Sequence, residues 1–314
     1  RGYADYRELL DREDLDVVSV CPRETPEREA MVTAAAEAGC HVYCEKPFAD
    51  APATADRMLG ACDDAGVRVA VAHGSRHVEP FRTAREMVRS GDLGTVLAMY
   101  GRGKEDGRGG GEDLLVLGTH TFDLMRFLVD ADPAWTFGSA TVDGRDATRG
   151  DAADATEPVG PVAGDAIHAM YGFPGGVRGY LRSVRDAQET GDRWGLALVG
   201  TDGVLAIRWG AGLELLWDPS ATGLDDCDFG TIDVEREPPV PGAAEPGDGF
   251  QARAHQHSGH DLLRAAEEGR EPVCSGRDGR LAVEMALGIY ASHLAERRVA
   301  LPLEDRGHSL ASDR

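Results

Sequence analysis

In residues 1–93, short continuous apolar runs alternate with amphipathic stretches of helical length. Asp16-Val17-Val18-Ser19-Val20-Cys21 is rich in β-branched residues without clean alternation. A strand buried on both faces reads this way, and Pro22 ends it. Pro26 to Ala38 carries proline at its first position, Glu27 and Glu29 in its first turn and Gly39 just past its end, which predicts a helix. A second strand follows up to Lys46, then a helix over 52–65 closed by Gly66. A third strand over 67–72 and a helix over 79–90 stopped by Gly91 complete the series, with a short helix over 5–11 before it. Strands and helices in alternation with short links predict a parallel, doubly wound α/β sheet. Three strands are fewer than a complete dinucleotide-binding domain uses.

The pattern changes beyond residue 94. A strand over 95–102 leads into a glycine-rich loop, Gly107-Arg108-Gly109-Gly110-Gly111, and a helix from Gly118 to Val129. Strands are then predicted over 135–143, 165–173, 176–185, 194–200, 203–209 and 212–217. Pro174-Gly175-Gly176, Thr201-Asp202-Gly203 and Gly210-Ala211-Gly212 punctuate them. Close spacing without intervening helices implies a largely antiparallel open sheet. Residues 145–164 and 235–249 read as flexible excursions, and helices over 250–268 and 277–297 close the chain. The reading is a partial Rossmann-like domain over 1–93 followed by an α+β domain over 94–314.

Composition narrows the partners. Of 314 residues, 33 are basic and 55 acidic, a formal net charge of −22. Such a surface repels phosphate backbones, so nucleic acid is not an expected partner. No apolar run is long enough to span a bilayer and no signal peptide is visible. The six cysteines form no CxxC pair; they read as free thiols in a reducing, cytoplasmic setting. No metal site is expected. His255, His257 and His260 do not share one helix face well and read as polar residues near a helix start.

Two stretches can carry chemistry. Glu45-Lys46-Pro47 ends a strand of a parallel sheet, where open α/β sheets meet their ligands; alone, it also fits a surface lysine beside a turn proline. In Gly118-Thr119-His120-Thr121-Phe122-Asp123, His120 and Asp123 share a helix face. A helix N-terminus lowers a histidine's proton affinity, which suits a base; a packed histidine bonded to Asp123 fits the same spacing. No GxGxxG occurs between a strand and a helix. Arg102, Lys104, Arg178, Arg182 and Arg185 can serve an anionic substrate or a solvated surface alike.

Taken in order, Cys44-Glu45-Lys46-Pro47, Gly91-Asp92-Leu93-Gly94 and Gly118-Thr119-His120-Thr121-Phe122-Asp123 resemble the Gfo/Idh/MocA family, relatives of glucose–fructose oxidoreductase and inositol dehydrogenase. The Gly269-Arg270-Glu271-Pro272 break and the helix through Tyr290 resemble its carboxyl end, so the resemblance covers nearly the whole chain. It implies hydride transfer between NAD or NADP and a sugar, polyol or related carbohydrate. It implies Lys46 and His120 as catalytic residues, and Pro22, Thr25, Glu45, Lys46 and Pro47 on the cofactor side. Arg76 and Asp123 would lie on the substrate side. A cis Lys46–Pro47 bond and a homo-oligomer built through the open sheet are further implications.

The sequence also departs from the family. Its glycine fingerprint and first strand are expected upstream of Arg1. Val116 stands where many members carry an aspartate four residues before the histidine, with Glu112 and Asp113 nearby. Arg28 stands where a cofactor-side histidine is usual. Two other readings keep the fold: a glycosidase that uses NAD transiently, or a non-catalytic ligand sensor or co-regulator.

Overall fold

The computed structural model describes residues 1–187, 194–209, 212–235, 237–243 and 250–311. The first part holds α1 (Tyr6–Arg12), β1 (Val17–Val20), α2 (Arg28–Glu37), β2 (His41–Cys44), α3 (Pro52–Ala65), β3 (Val69–Val71) and α4 (Glu79–Ser90). The strands form a parallel sheet in the order β1-β2-β3, Val18 facing Val42 and Val42 facing Val69. Val32, Ala35, Val42, Met58, Val69 and Val71 fill the core around it. Gly66 and Gly91 take left-handed backbone at the ends of α3 and α4, as the expected C-terminal stops require.

The second part contains β4 (Val96–Arg102), α5 (Gly111–Asp113), α6 (Thr119–Val129), β5 (Trp135–Val142), β6 (Arg145–Asp146), β7 (Ala153–Asp154), β8 (Pro161–Val162), β9 (Ala166–Gly172) and β10 (Arg178–Val184). After these come β11 (Gly195–Gly200), β12 (Gly203–Trp209), β13 (Leu213–Asp218), β14 (Gly230–Thr231), α7 (Phe250–Glu268), α8 (Gly276–Leu294) and β15 (Val299–Ala300). The large sheet runs β14-β13-β12-β11-β4-β10-β9-β5-β15, with β6 beside β5. Its pairs are antiparallel except β4 with β10. One face packs on α6 and α8 through Met99, Ile167, Tyr171, Leu181 and Leu198.

Three expectations change here. The excursion over 145–164 is ordered: it carries β6, and β7 pairs with β8. Glu112 holds it, accepting from the amides of Thr156 and Glu157. The glycine-rich loop lies tight against the body of the protein; a Cβ at Gly111 would sit 2.2 Å from the carbonyl oxygen of Ala163. The helix predicted from Gly118 begins earlier, as α5, and runs through a wide π-helical turn, Leu114–Gly118, into α6. Residues 210 and 211 of the predicted Gly210-Ala211-Gly212 turn lie outside the described residues, as do 236 and 244–249 of the second excursion.

The carboxyl-terminal helix closes back on the first sheet. The amide of Val71 in β3 donates to Cys274 O at 2.9 Å, and Ala70 bridges to Ser275. A Cβ at Gly276 would lie 2.5 Å from Val69 Cγ1, and one at Gly279 2.7 Å from Val71 Cγ2. Glycine at these two positions is what lets α8 approach the sheet.

Candidate active site

The carboxyl ends of β1, β2 and β3 come to one edge. The chain leaves β2 at Glu45-Lys46-Pro47 in a bend, with a cis Lys46–Pro47 peptide as expected. Glu45 Oε2 accepts from the Lys46 amide at 2.7 Å. Arg28, nearly fully buried, holds the bend from below. Its guanidinium donates to Pro22 O at 3.1 Å, to Glu45 O at 3.0 Å and to Pro47 O. One side chain thus ties the end of β1 to the turn after β2, through carbonyls that have no strand partner.

Lys46 reaches across to the second part of the chain. Its Nζ donates to Val116 O, in the π-helical turn, at 2.9 Å. Burial lowers its proton affinity, and the nearby Glu45 opposes that effect.

His120 lies beside this lysine and lines the same cleft. It does not stand at a helix start, because α5 and the π-helical turn precede it. Its proton affinity is nonetheless well below the ordinary value, through burial first and then through His73, Lys46 and His255. The cause expected from a helix N-terminus is therefore replaced by desolvation and, second to it, by neighbouring basic groups.

Among the described residues no carboxylate bonds His120. Asp113 accepts from Ser183 Oγ at 2.6 Å, and Glu112 is engaged with the 153–162 segment, so neither replaces the aspartate that Val116 displaces. The ring of His73, just beyond β3, instead lies edge-on to His120 with centroids 5.3 Å apart. His73 Nδ1 is 3.8 Å from Asp123 Oδ1. Both His73 nitrogens and His120 Nδ1 are buried without hydrogen bonds among the described residues. Burial, then Arg76 and Lys46, push the His73 pKa down to about 3, so the ring is neutral.

Arg76 and Asp123 come together, but they face each other. Arg76 donates to both Asp123 oxygens, at 2.8 and 2.6 Å, to Asp278 Oδ1 at 3.1 Å and to Val273 O at 2.9 Å. Burial weakens the arginine's charge, yet Asp123 and Asp278 outweigh it and hold its pKa above the ordinary value. Arg126 lies 3.1 Å from Asp278. This is a buried network under the cleft, with its polar atoms turned inward, whereas both residues had been expected to touch substrate. His73, Asp123 and Cys274 also offer donor atoms within 4.8 Å of one another. Two arginines already balance the two carboxylates there, so the site has no excess negative charge to attract a cation.

Thr25 differs from its expected place as well. Its amide donates to Pro158 O at 3.1 Å and its hydroxyl is buried, so the 153–162 segment covers it. Pro22 is half-exposed at the edge, and Pro47 is buried. Arg102 and Arg182 pair with Glu105, and Lys104 with Asp106.

A cleft of about 200 Å³ opens at this edge, lined among others by Glu45, Lys46, Gly74, His120, Trp194 and His255. The sequence reading missed His73, Trp194 and Trp209. His73 had one available signal: it follows β3 as Lys46 follows β2. The tryptophans are two of only four in the chain, and they meet because the hairpin register pairs Gly195 with Arg208.

The residues at the edge fit the nicotinamide side of a dinucleotide. Backbone and side chains of Glu45 and Lys46 border a cleft that holds a neutral histidine with a free ring nitrogen. A parallel sheet whose carboxyl edge meets a second domain with such a cleft defines a two-domain dinucleotide-dependent architecture. The comparisons with known proteins agree. Residues 1–73 match the model of an oxidoreductase family with an NAD-binding Rossmann fold, and residues 81–206 match the GFO/IDH/MocA C-terminal domain.

The chain belongs to the Gfo/Idh/MocA family. It is similar to a levoglucosan dehydrogenase of Pseudarthrobacter phenanthrenivorans, 24% identical over 95% of this chain and 83% of the relative. A D-apiose dehydrogenase of Paraburkholderia graminis is 26% identical over 96% of this chain and 77% of the relative. A solved levoglucosan dehydrogenase in complex with NADH and levoglucosan superposes with a TM-score of 0.75. It is 22% identical, and the match covers 96% of this chain and 84% of that one. Among the described residues no helix is long and apolar enough to cross a membrane.

Proposed function

We propose that this chain is an NAD(P)-dependent oxidoreductase acting on a sugar, polyol or related carbohydrate. The observation that carries the reading is the convergence of Lys46 and His120 on one cleft at the sheet's carboxyl edge. The names of the relatives, a levoglucosan dehydrogenase and a D-apiose dehydrogenase, support it, as does the match of residues 1–73 to an NAD-binding Rossmann family.

The roles follow from the proton affinities. A bound nicotinamide would supply hydride exchange with the reacting carbon, bordered by Pro22, Glu45 and Lys46. His120, neutral near pH 7, takes the hydroxyl proton on its imidazole. Lys46 is held in place by Val116 O and stabilises the developing alkoxide with its remaining donors. Arg28 fixes the turn that carries Lys46, and Arg76 and Asp123 position the floor under His73 and His120. In this reading residues 1–93 supply the cofactor side and 94–314 the substrate side.

The open face of the large sheet supports a homo-oligomer. Tyr100 and Phe137 are exposed there, and Tyr100 stacks on Tyr180 with centroids 5.0 Å apart. Exposed aromatic faces of this kind favour association with a second copy. All six cysteines are free, which supports a reducing, cytoplasmic setting.

The test is reduction of NAD and NADP by the purified protein over a panel of sugars and polyols. Turnover that is lost in Lys46→Ala and in His120→Ala supports the reading. Proven dinucleotide binding with no turnover of any carbohydrate rejects it, and glycoside cleavage without net cofactor turnover moves the chain to the glycosidase reading.

A further inference from the structure

His73 is a buried titratable group that the proposed proton transfer does not use. It follows β3 and is 1% exposed. Both of its nitrogens are buried without hydrogen-bond partners among the described residues. An unmade bond at a buried polar atom costs about 1–3 kcal/mol. A phenylalanine would fill a similar volume without that cost, so packing alone does not call for a histidine there.

Asp123 decides which His73 nitrogen carries the hydrogen. His73 Nδ1 is 3.8 Å from Asp123 Oδ1. Arg76 donates to both oxygens of that carboxylate, which leaves lone pairs for a further donor. A carboxylate held by an arginine only accepts, so His73 must turn an N–H towards it. His73 is neutral, through burial first and then through Arg76 and Lys46. A neutral imidazole has one N–H and one bare nitrogen. With Nδ1–H turned to Asp123, His73 Nε2 is a bare acceptor.

His120 supplies the matching donor. The two rings meet edge to face, at 71° and with centroids 5.3 Å apart. His120 Nδ1 is also buried without a partner among the described residues. A histidine that takes a proton on one nitrogen carries its existing hydrogen on the other. A buried N–H left without an acceptor opposes that step.

We propose that His73 is a positioning residue that fixes the tautomer of His120. His73 Nε2 accepts from His120 Nδ1–H while His73 Nδ1–H turns to Asp123, so His120 keeps Nε2 free of hydrogen for the substrate hydroxyl. The proton taken from substrate stays on His120 Nε2, and none passes to His73 or Asp123. Bonds of this kind are often long in a free enzyme and tighten in the complex. Shortening the 3.8 Å separation by roughly 1 Å completes the chain. His73 comes from the first part of the chain and His120 from the second, so the tautomer is set where the two parts meet. The inference rests on the base role given to His120.

The experiment is heteronuclear NMR of the histidine rings in the purified chain, where ring-proton couplings to the two nitrogens separate the tautomers, together with steady-state kinetics. The His120 signals are those lost in His120→Gln. In the parent protein His120 should carry its hydrogen on Nδ1. His73→Phe, which keeps the volume and removes both nitrogens, should move that hydrogen to Nε2. It should also lower kcat about tenfold or more, with KM within about twofold of the parent. In His73→Gln the side-chain carbonyl can accept from Nδ1–H, so the Nδ1 tautomer and most of kcat should return. Melting temperatures check that both variants are folded. Hydrogen on His120 Nε2 in the parent, or an unchanged tautomer in a folded His73→Phe protein, overturns the proposal. If His73→Phe does not fold, the parent and His73→Gln spectra decide by the same criterion. A His73-dependent tautomer in a chain that turns over no carbohydrate leaves the positioning role standing and removes the oxidoreductase reading.

Discussion

Lys46 Nζ donates to the carbonyl oxygen of Val116 at 2.9 Å, across the cleft between the two parts of the chain. The lysine comes from the end of β2 and the carbonyl from the π-helical turn before α6. Such turns leave backbone groups less regularly paired and recur at functional sites. The position that lacks the family's aspartate side chain therefore still holds the lysine, through its backbone.

Replacing Lys46 tests this arrangement. Lys46→Met should reduce kcat/KM by roughly 100-fold or more, because the alkoxide loses its cationic partner. Lys46→Arg should recover only part of the loss, since a planar guanidinium cannot keep both the Val116 bond and the substrate contact. Steady-state kinetics with NAD and the best carbohydrate substrate checks both. A Lys46→Met enzyme within twofold of the parent would refute the role.

The pH profile of kcat/KM should be broad on its acid side. His120 has its proton affinity lowered by burial and by His73, Lys46 and His255, so its base form persists well below pH 6.5 and the acid limb lies there. Lys46 is lowered from its ordinary range by burial, so charge and activity fall off below pH 10.5 on the alkaline side. In His120→Gln the residual activity should lose the acid limb, which a pH–rate series measures.

His73 gives a separate signature in stability. Its folded pKa of about 3 lies below the unfolded value of about 6.5. Between those values the unfolded chain binds more protons, so folding stability falls as pH drops through 6.5 towards 3. From pH 7 to pH 5 the contribution is about 2 kcal/mol. Urea unfolding at the two pH values should show a smaller difference in His73→Asn than in the parent protein.

The buried pair under the cleft should respond non-additively. Asp123→Leu leaves Arg76 without its bidentate partner and should cost about 3–5 kcal/mol. The double variant Arg76→Met with Asp123→Leu should recover a substantial part of that, because no uncompensated charge remains. Denaturant midpoints of the two single variants and the double variant complete the cycle. Simple addition of the single effects would show that the two residues act independently.

Most of the element order was legible because each element carried its own punctuation. Proline and glycine bounded α3, and Gly91 stopped α4, where burial and capping act locally. Lys46 and His120 were legible because strand ends and ordered motifs place them. Three things were not. The helix start at Gly111 was hidden because three consecutive glycines read as a loop, and their close packing on Ala163 is a tertiary fact. The inward pairing of Arg76 with Asp123 joins residues 47 positions apart, and spacing could show only that Asp123 shares a face with His120. The Trp194–Trp209 stack depends on hairpin register, and the sequence placed the strands without fixing which residues meet.

The edge of the first sheet is finished by residues 274–278. β3 borrows Cys274 O for the amide of Val71, and Arg76 borrows Asp278. During synthesis the sheet formed by residues 17–71 can collapse early, but its working edge cannot take final shape until residues 274–278 have left the ribosome. The cleft therefore takes its final shape only after the strand layer. Chains interrupted before α8 are expected to hold a folded strand layer with Arg76 still unpaired, a state that proteolysis of nascent chains arrested before and after residue 278 can distinguish.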